Sequence, residues 1–308
     1  MSPGLSILLH KVPFEKRMKL YHEALDLHKM GLGIHKIERE LRTRHGYSVA
    51  AANISKWIYH GARPDARANI PNLNPSPQLS YFIGAFKGDG FDYYNAKKQI
   101  YRVGLRVKDK DFLRRVSRTI AYVVGRSPSK LWTAKGAGGA DDVFHTFTVE
   151  SWSLRRFLRG NLSGLLAVAL KFPRDFLRGI FDAEGYVAVT RDRKRLRVHL
   201  GIGMSNKMIV KTIQRILARD FGIRATGPYR RKGRPTMLHG HFAMFKRDTY
   251  SIHISSQEAV GDFAKNVGFA MKRKSDTLKE ALSLLRAGDP KEALRIWEGR
   301  HGKREVST

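Results

Sequence analysis

Two acidic residues, Asp89 and Glu184, end two short apolar segments, and each is followed directly by glycine. The segments are Leu79-Ser-Tyr-Phe-Ile-Gly-Ala-Phe-Lys-Gly-Asp-Gly90 and Phe172-Pro-Arg-Asp-Phe-Leu-Arg-Gly-Ile-Phe-Asp-Ala-Glu-Gly185. Carboxylates are hard oxygen ligands, the type that Mg²⁺ and Mn²⁺ prefer in proteins. The chemistry that these two residues could share is therefore the binding of a divalent cation.

Both segments carry the signals of a helix. Pro77 and Pro173 suit helix starts, and Gly90 and Gly185 are expected to be left-handed C-caps. A glycine also lies inside each helix, at a cost of about 1 kcal/mol relative to alanine, which a close crossing of the two helices would explain. Such a crossing would bring both acids to the same end. There each carboxylate faces the negative pole of its helix, which costs roughly 0.3–1 kcal/mol, and a bound cation would reverse the sign.

The composition excludes several classes of protein. The chain has 308 residues, a formal net charge of +31 and no cysteine. Without cysteine there are no disulfide scaffolds, thiolate zinc sites, iron–sulfur clusters or thiol nucleophiles. No apolar run approaches the roughly 20 residues of a membrane helix, and the run from Leu5 to Leu9 is too short for a signal peptide. We expect an intracellular protein, in prokaryotic cytoplasm or an organelle, whose partner is a polyanion. The few glutamines and the missing cysteines favour a thermophilic source.

The positive charge is concentrated in two blocks. Residues 97–135 contain 12 Lys and Arg against two Asp, and residues 191–247 contain 16 against two Asp. In each block, apolar and basic residues alternate as in a half-buried strand, and an amphipathic helix follows. Both halves of the chain therefore share the order helix, two strands, helix, two strands, helix. This order predicts an internal duplication with two cationic sheet faces, and a two-stranded ribbon of this kind fits the DNA major groove.

The two acidic segments resemble the LAGLIDADG motif of homing endonucleases. The nine residues are Phe82-Ile-Gly-Ala-Phe-Lys-Gly-Asp-Gly90 and Leu177-Arg-Gly-Ile-Phe-Asp-Ala-Glu-Gly185. The first copy departs from the usual pattern at Lys87 and Gly88. Two motifs in one chain are typical of the single-chain type, and the resemblance covers roughly residues 77–285.

The resemblance implies an α+β fold of two pseudo-twofold-related αββαββα units, with antiparallel, saddle-shaped sheets over the major groove. It also implies a monomer that cuts both strands of a long DNA site with Mg²⁺, or with another divalent cation such as Mn²⁺. The implied metal ligands are Asp89 and Glu184, with the backbone carbonyls of Gly88 and Ala183 beside them. The implied basic catalytic residues are Lys171 and either Lys272 or Lys274.

Outward-facing residues of the predicted strands are the candidates for direct base readout. In the first half these are Arg102, Arg106 and Lys108, and in the second half Arg195, Arg197 and His199. A predicted loop adds Arg230, Arg231, Lys232 and Arg234.

The segment before the first motif predicts three short helices with a tight middle turn. This pattern is typical of a helix-turn-helix module, in which Asn53 and Lys56 of the third helix would face DNA. A helical trio that only packs or binds protein is the alternative. The expected domains are a tail (1–13), the helical domain (14–63), a linker (64–78), two motif units (79–170 and 171–287) and a C-terminal tail (288–308).

Two other functions remain open on the same scaffold. One is a DNA-binding regulator that does not cleave, which predicts the loss of an acid at one or both motifs. Both acids are present. The other is an intron RNA maturase, which can retain both acids and would bind structured RNA more tightly than duplex DNA.

Overall fold

The structure is a computed structural model that describes residues 12, 14–64, 71–95, 100–127, 129–135, 143–233, 235–238, 241–244, 247–287 and 289–302. These residues divide into two compact units. The first is drawn from Met1–Ile70, Tyr93–Arg102 and Glu150–Arg155, and the second from Pro71–Asp92, Val103–Val149 and Arg156–Thr308.

Three helices form the larger part of the first unit: α1 (Phe14–Lys29), α2 (Ile34–His45) and α3 (Ala51–Tyr59). Apolar residues at helical spacing close their core, with Leu20, Ile37, Leu41, Ile54 and Trp57 buried. Gly46 ends α2 in the left-handed conformation, at φ +70°. The three predicted helices are therefore present.

The rest of the chain repeats one order of elements twice, as the duplication predicted. The first copy contains α4 (Pro77–Asp89), β1 (Gly90–Asn95), β2 (Ile100–Val107), α5 (Lys110–Val124), β3 (Trp132–Lys135), β4 (Val143–Glu150), α6 (Trp152–Arg159) and α7 (Leu162–Ala169). The second copy contains α8 (Pro173–Glu184), β5 (Gly185–Asp192), β6 (Arg195–Met204), α9 (Lys207–Phe221), β7 (Thr226–Arg231), β8 (Pro235–Leu238), β9 (His241–Met244), β10 (Thr249–Ile254), α10 (Gln257–Asn266), α11 (Lys272–Arg286) and α12 (Pro290–His301).

Each copy builds a four-stranded antiparallel sheet with the same topology. The strand order is β1-β2-β4-β3 in the first sheet and β5-β6-β10-β7 in the second. The α+β fold with two such sheets is thus confirmed. The copies differ in detail, because α6 and α7 replace one predicted helix and, among the residues that the structure describes, the hairpin β8–β9 occurs only in the second copy.

The second sheet shows how alternation sets its two faces. Strand β6 pairs with β5 from Gly185↔Ile202 to Asp192↔Arg195. Leu196, Val198 and Leu200 are buried, whereas the basic residues between them are more exposed. The period of two in the sequence therefore assigns the buried face correctly.

The prediction that Gly90 and Gly185 are left-handed caps is wrong. Their φ angles are −76° and −75°, and a strand begins at each without an intervening turn. Glycine is needed there for space. A Cβ at Gly185 would lie 2.6 Å from both the Phe181 carbonyl oxygen and its ring Cδ1, and one at Gly90 would overlap Phe86.

The C-terminal helices pack more extensively than the sequence predicted. Helix α11 begins at Lys272 and buries Lys274, Leu278, Ala281 and Leu282. Helix α12 buries Ala293 and Leu294 against Leu196 of β6. This helix is therefore an integral part of the second unit.

Candidate metal centre and nucleic-acid interface

The two motif helices, α4 and α8, cross at glycines. A Cβ added to Gly84 would overlap the carbonyl oxygen of Phe176 and lie 2.8 Å from the Ile180 nitrogen. A Cβ on Gly179 would overlap the carbonyl oxygen of Tyr81. Because the obstructing atoms belong to backbone, only glycine allows this approach.

The crossing brings the two acidic helix ends together. A Cβ on Gly88 would lie 2.5 Å from the Cβ of Ala183 and 2.8 Å from the Cγ of Glu184. Asp89 and Glu184, the last residues of α4 and α8, are half-buried side by side at this end. Gly88 in the first motif, where the family usually has alanine, thus makes room for the side chain of Glu184.

The two carboxyls influence each other. Burial raises the pKa of the Asp89 carboxyl, and the charge of Lys274 acts in the opposite direction. Burial also raises the pKa of Glu184, the negative charge of Asp89 raises it further, and Lys274 again opposes the rise. The site therefore concentrates negative charge that is only partly compensated within the protein.

Lys274 belongs to the first turn of α11, and its side chain packs against the C-terminal end of α8, where it is only 8% exposed. Its Nζ donates to the carbonyl oxygens of Phe181 at 3.0 Å and Asp182 at 2.6 Å, with Ala183 at 3.4 Å. Burial lowers the pKa of Lys274 to about 8, although the nearby acids favour its charged form. The geometry thus holds a lysine ammonium against the last carbonyls of α8, where its charge acts on both carboxyls.

The other two lysines of the predicted site lie elsewhere. Lys272 is exposed and donates to Asp276 at 2.6 Å. Lys171 is exposed just before the start of α8, at the end of that helix opposite to Glu184. Of the three, the structure brings only Lys274 to the acids.

A buried network that sequence reasoning missed holds Lys274 in place. Asp182 is fully buried and accepts hydrogen bonds from the backbone N–H groups of Ala270 at 2.9 Å and Met271 at 3.0 Å. The hydroxyl of Tyr81 on α4 donates to the same carboxylate at 2.8 Å. Asp182 therefore ties α4, α8 and the start of α11 together. Its place within the motif was visible in the sequence, but its partners, about 90 residues away, were not.

The first motif reverses this arrangement. Lys87 occupies the position of Asp182, and its Nζ donates to the carbonyl oxygen of Leu158 at 3.2 Å. Burial lowers the pKa of Lys87. The acid in the second motif thus binds backbone donors of the following segment, whereas the lysine in the first binds a backbone acceptor.

Within the described part of the chain, no cluster of three or more His, Cys, Asp and Glu side chains could hold a metal. A pair of carboxylates is nevertheless a suitable donor set for Mg²⁺, which usually keeps several waters and uses one or two carboxylates plus substrate phosphates. Asp89 and Glu184 fit this requirement, and the carbonyl of Ala183 is partly engaged by Lys274.

Several predicted base-reading residues are ion-paired. Arg102 lies 2.7 Å from Glu150, Arg197 3.1 Å from Asp192 and Arg230 2.6 Å from Asp248. Arg230 and Arg231 lie on β7 rather than in a loop, and Lys232 follows that strand. Arg234 lies outside the described residues.

The remaining candidates are more varied. The guanidinium of Arg106 stacks 4.8 Å from the ring of Phe144, and Lys108 lies 5.4 Å from the same ring. Arg195 is exposed. His199 is half-buried, and burial followed by the charges of His253 and Arg197 lowers its pKa. In the first unit, Asn53 is half-buried on α3 and Lys56 is exposed.

Tyr186 is a further residue on the open face of the second sheet. It covers Gly201, whose Cβ would overlap the tyrosine hydroxyl, and this hydroxyl lies 2.9 Å from Nδ1 of His253. Nε2 of His253 lies 3.2 Å from the hydroxyl of Ser251. The second sheet thus carries a hydrogen-bonded cluster of Tyr186, His253 and Ser251, and Tyr186 follows Glu184 by two residues in the chain.

A known domain family matches the second motif unit. Residues 171–268 match the LAGLIDADG-like domain family. This match bears out the LAGLIDADG resemblance for the second motif unit, and the duplicated order of elements fits the single-chain, two-motif type that the motifs predicted.

Individual proteins similar to this chain include one from Methanocaldococcus jannaschii of uncharacterised function. It is 28% identical over 276 residues, which cover 86% of this chain and 93% of the relative. The I-DmoI complex with DNA and Ca is 18% identical, with a TM-score of 0.45, and covers 68% of this chain and 98% of I-DmoI. Full-length DUF199/WhiA from Thermotoga maritima is 17% identical, with a TM-score of 0.40, and the match covers 73% of this chain and 66% of the WhiA chain. These values are too low to transfer an activity.

No helix among the described residues is long and apolar enough to cross a membrane.

Proposed function

We propose that the protein is a site-specific endonuclease that hydrolyses both strands of duplex DNA as a monomer. The observation that carries the proposal is the pairing of Asp89 and Glu184 at the ends of two crossing helices, each of which leads directly into a sheet. Two nearly equivalent acids match the two scissile phosphates of a duplex. The basic residues on the open sheet faces supply the contacts to phosphate and base edges.

Asp89 and Glu184 would hold Mg²⁺ or Mn²⁺ through their carboxylate oxygens. When bound, such an ion supplies a Lewis acid and lowers the pKa of a coordinated water. Since burial and mutual repulsion raise the pKa of Glu184, a cation between the acids would also restore its ionised form.

Lys274 has a separate role in this proposal. Its ammonium is fixed by backbone carbonyls of α8 and lies near both acids, where it can stabilise negative charge on the phosphate in the transition state. The network of Tyr81 and Asp182 keeps it there. Because this lysine comes from the second motif unit, its effect on the two strands need not be equal.

A randomised duplex library incubated with Mg²⁺ tests the proposal. We expect double-strand cuts at one recurring sequence, abolished by EDTA and by Asp89→Asn or Glu184→Gln. Glu258→Gln, at an exposed acid in the first turn of α10, is the matched control and should leave metal-dependent cutting intact. Cutting that persists in both site variants would contradict the assignment. Binding without any cutting would instead support a non-cleaving regulator.

A further inference from the structure

A basic cavity of about 430 Å³ lies beside helix α5. Its lining includes Arg114, Arg115 and Arg118 of α5 together with Lys272 at the start of α11. Asp111 is the acid that shares this lining. The volume is in the range of ligand sites, but the excess of cations points to a polyanion rather than to a neutral molecule.

The three arginines do not belong to the open face of a sheet. Helix α5 buries Leu113, Val116 and Ile120 at helical spacing, whereas Arg114, Arg115 and Arg118 are exposed. The exposed side of a helix that packs on a sheet points away from that sheet. These arginines are part of the basic block at residues 97–135, which the sequence pattern assigned to a cationic sheet face. A duplex on the open sheet faces would not contact them.

Part of this charge has no internal compensation. Arg114 pairs with Asp111 at 3.0 Å, and Lys272 pairs with Asp276 at 2.6 Å. Arg115 and Arg118 make no ion pair within the part of the chain that the structure describes. Arg115 also lines a neighbouring cavity of about 140 Å³. Adjacent unpaired cations on one helix repel each other, and a bound polyanion would relieve this repulsion.

The duplicated half provides an internal comparison. Aligned at their first residues, α5 and α9 place Lys211 opposite Arg114 and Arg215 opposite Arg118. Arg115, however, corresponds to the buried Thr212. The extra arginine is thus specific to the first half and is not a consequence of the shared fold.

We propose that the groove formed by Arg114, Arg115, Arg118 and Lys272 binds the phosphate backbone of a second nucleic-acid segment, separate from the duplex on the sheets. This segment is a second stretch of duplex DNA, because the closely spaced phosphates of its two strands suit several adjacent cations. The proposal goes beyond the proposed function, and it does not depend on cleavage.

Native mass spectrometry of the full chain tests the proposal by counting bound nucleic acids. The protein is first saturated with a short unlabelled duplex, in EDTA to prevent cutting, and then receives either a hairpin RNA or a second duplex of different mass. The test variant is Arg115→Gln/Arg118→Gln, and the matched control is Lys211→Gln/Arg215→Gln, which removes the same charge from α9. Circular dichroism melting verifies that both variants fold.

We expect two nucleic acids on the wild type and on the control, and one on the test variant. In fluorescence titrations of the second duplex, the test variant should reduce the slope of log K against log salt by about 1.8 if each arginine meets one phosphate. Binding of the second duplex supports the proposal, and binding of the hairpin RNA alone would overturn it. Wild-type protein that binds one nucleic acid in both arms, or equal losses in the two variants, would overturn the proposal.

Discussion

Replacing Gly84 by alanine tests whether the crossing of the motif helices requires glycine. The new Cβ would overlap the Phe176 carbonyl oxygen and lie 2.8 Å from the Ile180 nitrogen, whereas an ordinary van der Waals contact is 3.4–4 Å. Both neighbours are backbone atoms, so the helices themselves must separate. Overpacking costs about 1–3 kcal/mol where side chains can yield, so we take the upper end. The better helix propensity of alanine returns about 1 kcal/mol, which leaves a net loss of about 2 kcal/mol.

The control is Gly261→Ala in α10. A Cβ there meets nothing within 4 Å, so this change should stabilise the protein by up to about 1 kcal/mol. Thermal melting followed by circular dichroism separates the two variants. The second compact unit belongs to the size class of roughly 150–250 residues, so Gly84→Ala should lower its melting midpoint by roughly 4–8 °C and the control should raise it by a few degrees. A Gly84→Ala protein as stable as the wild type would refute the close crossing.

Three further predictions follow from the contacts around the site. Lys274→Met should raise the pKa of both carboxyls, because the charge that opposes their rise is lost, and cleavage at neutral pH should then require more Mg²⁺; an unchanged Mg²⁺ dependence would contradict this role. The pKa of Glu280 is lowered by its hydrogen bonds to Arg300 and His301. The stability that Glu280 gives α12 should therefore be present above the pKa of the unfolded chain and lost as the pH falls through the pKa of the folded protein. Hydrogen exchange of α12 against pH measures this loss, with Glu280→Gln as the reference that lacks the titrating carboxyl. Arg106→Gln should relax the preference for one base pair by about 1–3 kcal/mol in a binding selection and leave metal dependence intact; uniform weakening across all sequences would show a phosphate contact instead.

Local patterns in the sequence predicted the main features of the fold. Helix α9 (Lys207–Phe221) is the amphipathic helix expected after the second basic strand, because its apolar spacing is regular and Asn206 caps its first turn. The alternation of apolar and basic residues in β6 likewise predicted which face of the strand is buried, because it is a regular local pattern. The two motif glycines predicted the helix crossing, since an internal glycine needs a packing explanation.

Features that depend on distant partners could not be predicted in this way. The bond from Tyr81 to Asp182 joins residues 101 positions apart, and nothing in the sequence around Tyr81 signals it. The burial of Lys274 depends on where the start of α11 meets the end of α8. Gly90 and Gly185 were misassigned because glycine serves both left-handed caps and close packing, and the distinction requires coordinates.

The cleavage rates of four proteins test the central claim most directly: the wild type, Asp89→Asn, Glu184→Gln and the double variant, on the selected target in Mg²⁺. If the two acids form one centre, each single change should remove nearly all double-strand cutting, and the double variant should be little worse than either one. Multiplicative losses in the double variant, or wild-type rates in either single variant, would contradict a shared metal centre at the ends of α4 and α8.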